Sequence, residues 1–222
     1  SVALPAGASF QDAKGHWAQE AIERWEGRGV VKGDEKGFRP DDPMTRAEFA
    51  VVLDRLMAYA ETKVNPFKDV PAGTWYTKSV LGAAAAGILL GTDVDKASPG
   101  DRITREQAFT LMGRALMVKE NEAGTAAYSD AAEISKYAKG YIGGMTAAGI
   151  LHGSNGKCSP KSNITRAEVI TVVDNAIGDI VDKAGEYQKD SEKSVIVNAA
   201  GAVLKDMAVK GNLSIAEGVG SG

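Results

Sequence analysis

The feature that most limits what this chain can become is a pattern about sixty residues long that occurs three times. Phe10-Gln-Asp12, Phe67-Lys-Asp69 and Tyr128-Ser-Asp130 open the three units. An aromatic follows at Trp17, Trp75 and Tyr137, and twelve residues beyond each stands a glycine, Gly29, Gly87 or Gly149. Four residues later comes a second glycine, Gly33, Gly91 or Gly153, and then a proline, Pro40, Pro99 or Pro160. Five residues past each proline is a Thr-Arg pair: Thr45-Arg46, Thr104-Arg105 and Thr165-Arg166. Self-similarity at a fixed period is the signature of stacked copies of one supersecondary unit.

Each unit reads as helix, loop, helix. In the first, Trp17, Ala18, Ala21, Ile22 and Trp25 share one face at helical spacing, and Gly29 supplies the left-handed residue on which helices often end. The second helix is marked by Phe49, Val52, Leu53, Leu56, Met57 and Ala60. Val169, Val172, Val173, Ala176, Ile177 and Ile180 repeat that period in the third unit. A single two-helix unit cannot bury both apolar stripes, whereas three stacked units can, so Phe10 to about Ile180 is expected to fold as one cooperative domain. The expected organisation is a tail at 1–9, repeats at 10–62, 63–124 and 125–181, and a different region at 182–222.

In that last region a polar stretch, Asp182 to Lys193, leads into Val195-Ile-Val197 and the alternating runs Met207-x-Val209 and Leu213-x-Ile215. Gly201, Gly211 and Gly218 separate them, and alternation with glycine breaks favours strands. Two readings stay open: a linker helix or turn followed by the first coils of a β-solenoid, or a flexible tail carrying an isolated hairpin. The fold class expected is mostly α, with a short β-rich C-terminal extension.

Composition narrows the function classes. A net charge of −3 with both signs interspersed gives no broad attraction for nucleic acid or an anionic membrane. No run of 18 apolar residues exists to span a bilayer. Ser1-Val2-Ala3-Leu4-Pro5 lacks the charged and apolar regions of a signal peptide, so none is expected within these residues. The single cysteine, Cys158, excludes an intramolecular disulfide and a cysteine-built zinc site, and is read as a small buried hydrophobe. With two histidines, His16 and His152, and no nucleophile-elbow, P-loop or zinc-protease motif, no catalysis, metal or cofactor is expected. The Asp41-Asp42 pair sits among turn residues, where solvated charge is the ordinary reading.

An F-x-D opening, an aromatic before a helix, G-x-x-x-G, a proline and then Ile-Thr-Arg-Ala-Glu resemble the S-layer homology motif. Ile164-Thr-Arg-Ala-Glu168 carries that signature complete, Met44-Thr-Arg-Ala-Glu48 differs in its first residue, and Ile103-Thr-Arg105 continues as Glu106-Gln107. The resemblance covers about four-fifths of the chain. It implies three repeats in a pseudo-threefold, three-prong spindle around a central helical bundle. It also implies grooves between repeats that hold a secondary cell-wall polysaccharide through a terminal, pyruvylated N-acetylmannosamine, and a secreted protein held at the cell wall within an S-layer. Self-association into a lattice would then use regions outside this chain.

Thr-x-x-Glu before an apolar helix is also a capping box, so Thr45 with Glu48, Thr104 with Gln107 and Thr165 with Glu168 have an ordinary structural role. The arginines do not. At the first helical position a cation meets the positive end of the dipole, which is unfavourable by a few tenths of a kcal/mol. An anion is therefore expected beside Arg46, Arg105 and Arg166: either the internal Asp12, Asp69 and Asp130, or a ligand carboxylate that also meets free helix-terminal amides. On the second reading, replacing Arg46 and Arg166 by alanine weakens binding and leaves stability within about 1 kcal/mol.

Gly29, Gly87 and Gly149 either end helices or let backbone approach a sugar. Trp17, Trp75 and Tyr137 either offer a flat face to a sugar or anchor the core. Lys32, Asp34, Thr92 and Ser154, around the second glycine, are candidate polar contacts. The copies differ, so unequal grooves are expected. A competing class is a helical repeat that docks a protein or assembles into a lattice through the same grooves.

Overall fold

The computed structural model describes residues 10–216 and Val219, so the expected tail at 1–9 and Gly218 lie outside the described residues. The chain is mostly α, with a β extension. Each unit contributes two helices: α1 Gln19–Gly27 and α2 Arg46–Met57, α3 Thr77–Ala85 and α4 Arg105–Ala115, α5 Lys136–Ala147 and α6 Arg166–Ala176. The second helix of a unit is the inner one. α2 buries eight of its twelve residues and α1 only three of nine.

The units interlock in a closed order. α2 packs on α3, α4 on α5, and α6 returns to α1, so each inner helix covers the outer helix of the following unit. Their apolar stripes join in one hydrophobic core that runs from Ala13 to Ile196. Within a unit, the inner helix ties down the end of the outer one by a side chain at the same place each time. Arg55 donates to Val30 O at 3.2 Å, Arg114 to Ile88 O at 3.4 Å and Asn175 to Ile150 O at 3.1 Å.

Some boundaries depart from the periodicity. α1 begins at Gln19, which leaves Trp17 outside it, and α2 ends at Met57 because Ala58 turns left-handed at φ 46°. The apolar residues Ile177 and Ile180 are not helical: α6 stops at Ala176, and Ile177–Val181 is a strand, β1. The apolar period continued past the helix because the strand buries the same kind of side chain against the same core.

The C-terminal region resolves the two open readings in favour of coils. No linker helix precedes the strands among the described residues. After β1 come β2 Gly185–Tyr187, β3 Ser194–Val197, β4 Ala202–Leu204 and β5 Leu213–Ile215. β1, β3 and β5 form one parallel sheet, and β2 pairs with β4 in another. Val181 lies against Val197 and Val195 against Leu213, a return of 16 to 18 residues, as in a solenoid. Side chains alternate across the strands. Ile177, Ile180 and Ile196 join the helical core, while Val181, Val195 and Val197 fill the interior of the coil.

The coils sit on the C-terminal ends of the inner helices. α6 runs directly into β1. Asn198 donates to Leu56 O at the end of α2 (3.1 Å), and Asn212 to Leu116 O at the end of α4 (3.0 Å). One of the terminal carbonyls that each of these two helices leaves unsatisfied is thus met by the extension.

Candidate functional site

At the opposite ends of the inner helices the three Thr-Arg segments converge. Met44 N–H donates to Ile164 O, Ile164 N–H to Ile103 O and Ile103 N–H to Met44 O, a closed cycle of 3.0–3.1 Å bonds. Each inner helix then begins at a threonine N-cap with a complete capping box.

The four N-terminal amides of each inner helix can be accounted for in full. For α2, Thr45 N–H donates to Glu48 (2.8 Å), Arg46 N–H to Asp101 O (2.9 Å), Ala47 N–H to Pro99 O (3.0 Å) and Glu48 N–H to the Thr45 hydroxyl (3.2 Å). α4 uses Ser162 O and Pro160 O of the third unit, and α6 uses Asp42 O and Pro40 O of the first. The free helix-terminal amides expected beside the arginines are therefore occupied by the next unit's loop.

The arginine side chains follow the same direction. Arg46 donates to Ala97 O (2.7 Å) and Leu90 O (3.1 Å), and Arg166 to Phe38 O (2.7 Å) and Lys32 O (2.9 Å). Arg105 donates to Cys158 O (2.7 Å) and pairs with Glu168. Arg166 lies over the Phe38 ring and Arg105 over Phe109, with 4.9 and 5.1 Å to the ring centres. Arg46 and Arg166 are 5% and 8% exposed.

Of the two anions considered for these arginines, the internal aspartates do not pair with them directly; they meet them through one intervening residue. Asp12 accepts from the amides of Phe38 and Arg39, Asp69 from Ala97 and Ser98, and Asp130 from Cys158 and Ser159. The residue two before each proline thus gives its N–H to the aspartate of its own unit and its carbonyl to the arginine of the preceding one. The next residue, Arg39, Ser98 or Ser159, is left-handed at φ 50–56°, a conformation that non-glycine residues adopt only when held there. Phe10, Phe67 and Tyr128 lie against the second glycines: a Cβ would strike the Phe10 and Tyr128 rings at Gly33 and Gly153, and at Gly91 it would crowd Phe67 and strike the carbonyls of Asp93 and Lys96.

Burial alone raises the carboxyl pKa of all three aspartates, but the amide hydrogen bonds outweigh it and hold each below the usual value. Such a group stabilises the fold fully above its unfolded pKa and loses that contribution as pH falls through the lower folded value. Asp130→Ala is therefore expected to lower stability by about 2 kcal/mol at pH 7, since two bonds to a charged acceptor are lost. The gap to wild type closes as the pH drops below about 4, where the carboxyl protonates in the unfolded chain; thermal denaturation between pH 2.5 and 7 measures it.

The remaining candidates are placed as follows. Gly29, Gly87 and Gly149 adopt φ of +71 to +72° at the ends of α1, α3 and α5, where Val30 donates to Trp25 O, Ile88 to Ala83 O and Ile150 to Met145 O. This is a Schellman helix stop in each copy, and the space beyond the missing Cβ is open. Trp17, Trp75 and Tyr137 are 64%, 67% and 49% exposed, so they are surface faces and not core anchors. Lys32 gives its carbonyl to Arg166, Asp34 pairs with Arg39 (2.8 Å), Thr92 bonds the Ser98 hydroxyl (2.6 Å), and Ser154 closes a turn with Lys157. Burial pushes the Cys158 thiol up to about 11, in keeping with a buried hydrophobe.

One residue escaped the sequence reading. Glu106 stands where the other copies have Ala47 and Ala167, and it bridges the seam between the second and third units. It accepts from Ser135 N–H (2.9 Å), the Ser135 hydroxyl (2.9 Å), the Tyr137 hydroxyl (3.1 Å) and the Lys161 ammonium (2.6 Å). Burial, then the charge of Glu106, pushes the Tyr137 hydroxyl up to about 12. The signal was in the sequence: an acid replacing alanine, with a lysine directly after Pro160.

Three interlocked helix-loop-helix units, each tied to the next by a Thr-Arg helix start, define a tandem-repeat module. The S-layer homology domain matches residues 9–50, 66–109 and 127–170, and the chain belongs to that family, with three repeats. It is 35% identical over 172 residues to an amylopullulanase of Thermoanaerobacterium thermosulfurigenes, covering 74% of this chain and 9% of the relative. It is 32% identical over 170 residues to the surface-layer 125 kDa protein of Lysinibacillus sphaericus, covering 74% and 14%. It is 28% identical over 208 residues to S-layer protein sap of Bacillus anthracis, covering 90% and 25%. The chain thus spans between 9% and 25% of the length of these relatives, and the enzyme among them matches over its smallest share.

Proposed function

We propose that this chain is a non-covalent, non-catalytic anchor that holds a surface protein to the bacterial cell wall by binding a secondary cell-wall polysaccharide. On this reading the repeats form a pseudo-threefold, three-prong spindle with units near 10–62, 63–124 and 125–181. The grooves between units receive a terminal, pyruvylated N-acetylmannosamine, and the protein resides outside the cell within an S-layer. Membership in the S-layer homology family supports the anchoring role, as do relatives named as surface-layer proteins.

The observation that carries the reading is a combination at the seam between the first and second units. Arg46 has no carboxylate within 4.0 Å among the described residues, because Gln107 stands where Glu48 and Glu168 stand in the other copies. Gly100 adjoins Asp101, whose carbonyl accepts from Arg46 N–H; it and Gly73 have open space where a side chain would project, and Trp75, two residues past Gly73, presents an exposed ring. Arg46 is 5% exposed and bonded to two carbonyls, so what it offers is a positive charge with no carboxylate in direct contact; with an aromatic plate and open space on the adjoining repeat, that suits an acidic sugar.

The test is sedimentation with purified cell-wall sacculi. The chain is expected to co-sediment, to lose that ability when hydrofluoric acid strips the polysaccharide, and to be displaced by a pyruvylated saccharide but not by its unpyruvylated counterpart. Retention on stripped sacculi would point to protein docking instead.

A further inference from the structure

The three seams are built from corresponding positions with different residues, and the differences rank them. Counting two residues before each aromatic and one after each proline, the first–second seam has Ala47, Gly73 and Gly100, and the third–first seam has Ala167, Gly15 and Asp41. The second–third seam has Glu106, Ser135 and Lys161, and its side chains bond one another.

We infer that the groove between the second and third repeats carries its own carboxylate ligand, Glu106, and is closed to the acidic sugar, which the first–second groove accepts. This rests on the carbohydrate reading above and deepens it by assigning the grooves. Glu106 is 4% exposed and uses an ammonium, two hydroxyls and an amide, the set of donors an external carboxylate needs. A second carboxylate brought to the same donors would meet a like charge with no partner left to neutralise it. Arg105 is also committed, to Glu168 and Cys158 O. Removing the Glu106 carboxylate leaves Lys161, Ser135 and Tyr137 around a space of its own size. The second repeat's departure from Thr-Arg-Ala-Glu is then a self-filled site, and Glu106→Ala opens that groove in addition to the first–second one.

The experiment is amide NMR on the whole chain as wild type, Glu106→Ala and the shape-conserving Glu106→Gln. Sodium acetate serves as a carboxylate probe, and the methyl glycoside of pyruvylated N-acetylmannosamine as the sugar. Acetate is expected to shift the Ser135 amide saturably in Glu106→Ala, at least about tenfold more tightly than in wild type, because the like charge is gone. In wild type the sugar is expected to move Gly100 and leave Ser135 in place, and in Glu106→Ala to bind with one additional site by calorimetry. Saturable movement of Ser135 by the sugar in wild type overturns the inference. So does a Ser135 amide that ignores acetate in both variants; Glu106→Gln decides if Glu106→Ala does not fold. If acetate moves Ser135 in a variant while the sugar moves nothing in any form, the self-filled groove stands and the pyruvylated-sugar reading falls.

Discussion

Arg166→Ala is expected to destabilise the chain by about 3 kcal/mol, far beyond the 1 kcal/mol its helix-end position alone suggests. Among the described residues the guanidinium is the one donor to the carbonyls of Phe38 and Lys32, and it lies over the Phe38 ring. Truncation leaves two carbonyls without that donor beside a buried arginine site, and a void over an aromatic that is fully buried. The damage falls on the closure of the ring, since this seam joins the last repeat to the first. Urea denaturation measures the loss. Arg166→Lys is expected to recover less than half of it, because one ammonium cannot reproduce a fork that reaches two carbonyls at once. A variant as stable as wild type would show that the seam is held elsewhere.

This bears on how wall binding is tested. Loss of binding in an arginine variant mixes a loosened seam with a lost ligand contact. Trp75→Ala separates them: the ring is largely exposed and outside the core, so stability is expected to stay within about 0.5 kcal/mol.

Gly143→Ala is expected to cost about 2–3 kcal/mol, in spite of the roughly 1 kcal/mol that alanine contributes to a helix interior. α5 carries Gly140, Gly143 and Gly144 on the side that meets the connection from the second unit. A Cβ on Gly143 would strike Asn121 O and approach the Thr125 amide at 3.1 Å, and one on Gly144 would strike Lys119 O. These are backbone atoms, which cannot swing aside as a side chain tip does. The 3-10 turn Glu122–Ala127 would have to lift away, and calorimetry would record a lower Tm. An unchanged Tm would mean that the connection is only loosely seated.

Much of this was legible in residue spacing, because a repeat writes the same physics three times. Capping boxes and helix stops lay where the pattern put them, and so did the inner-helix stripes up to Met57 and Ala176; Ala60 falls beyond α2 and is exposed, and Ile177 and Ile180 lie in β1. What spacing concealed is that a motif's partner sits in the next copy. Asp12 and Arg166 are 154 positions apart in the chain yet share the backbone of Phe38, and no local rule joins them. The switch from helix to strand at Ile177 was hidden for a different reason: burial, not conformation, sets the apolar period, and the core continues across the change. Glu106 was hidden by comparison with its siblings, since against Ala47 and Ala167 it looks like a departure from the motif, while its carboxylate gathers four donors across the seam.

The seating of the coils on the inner helices has a mechanical consequence. A tether attached through a single strand would behave as a swivel, and whatever it carries would point in any direction. Here α6 passes into β1 while Asn198 and Asn212 clamp the ends of α2 and α4, so the joint is a flange with three bolts. A pull or a twist applied to the coils is divided among all three inner helices and delivered to the ring at their far ends. A body carried on those coils is held at a fixed attitude, as well as a fixed place.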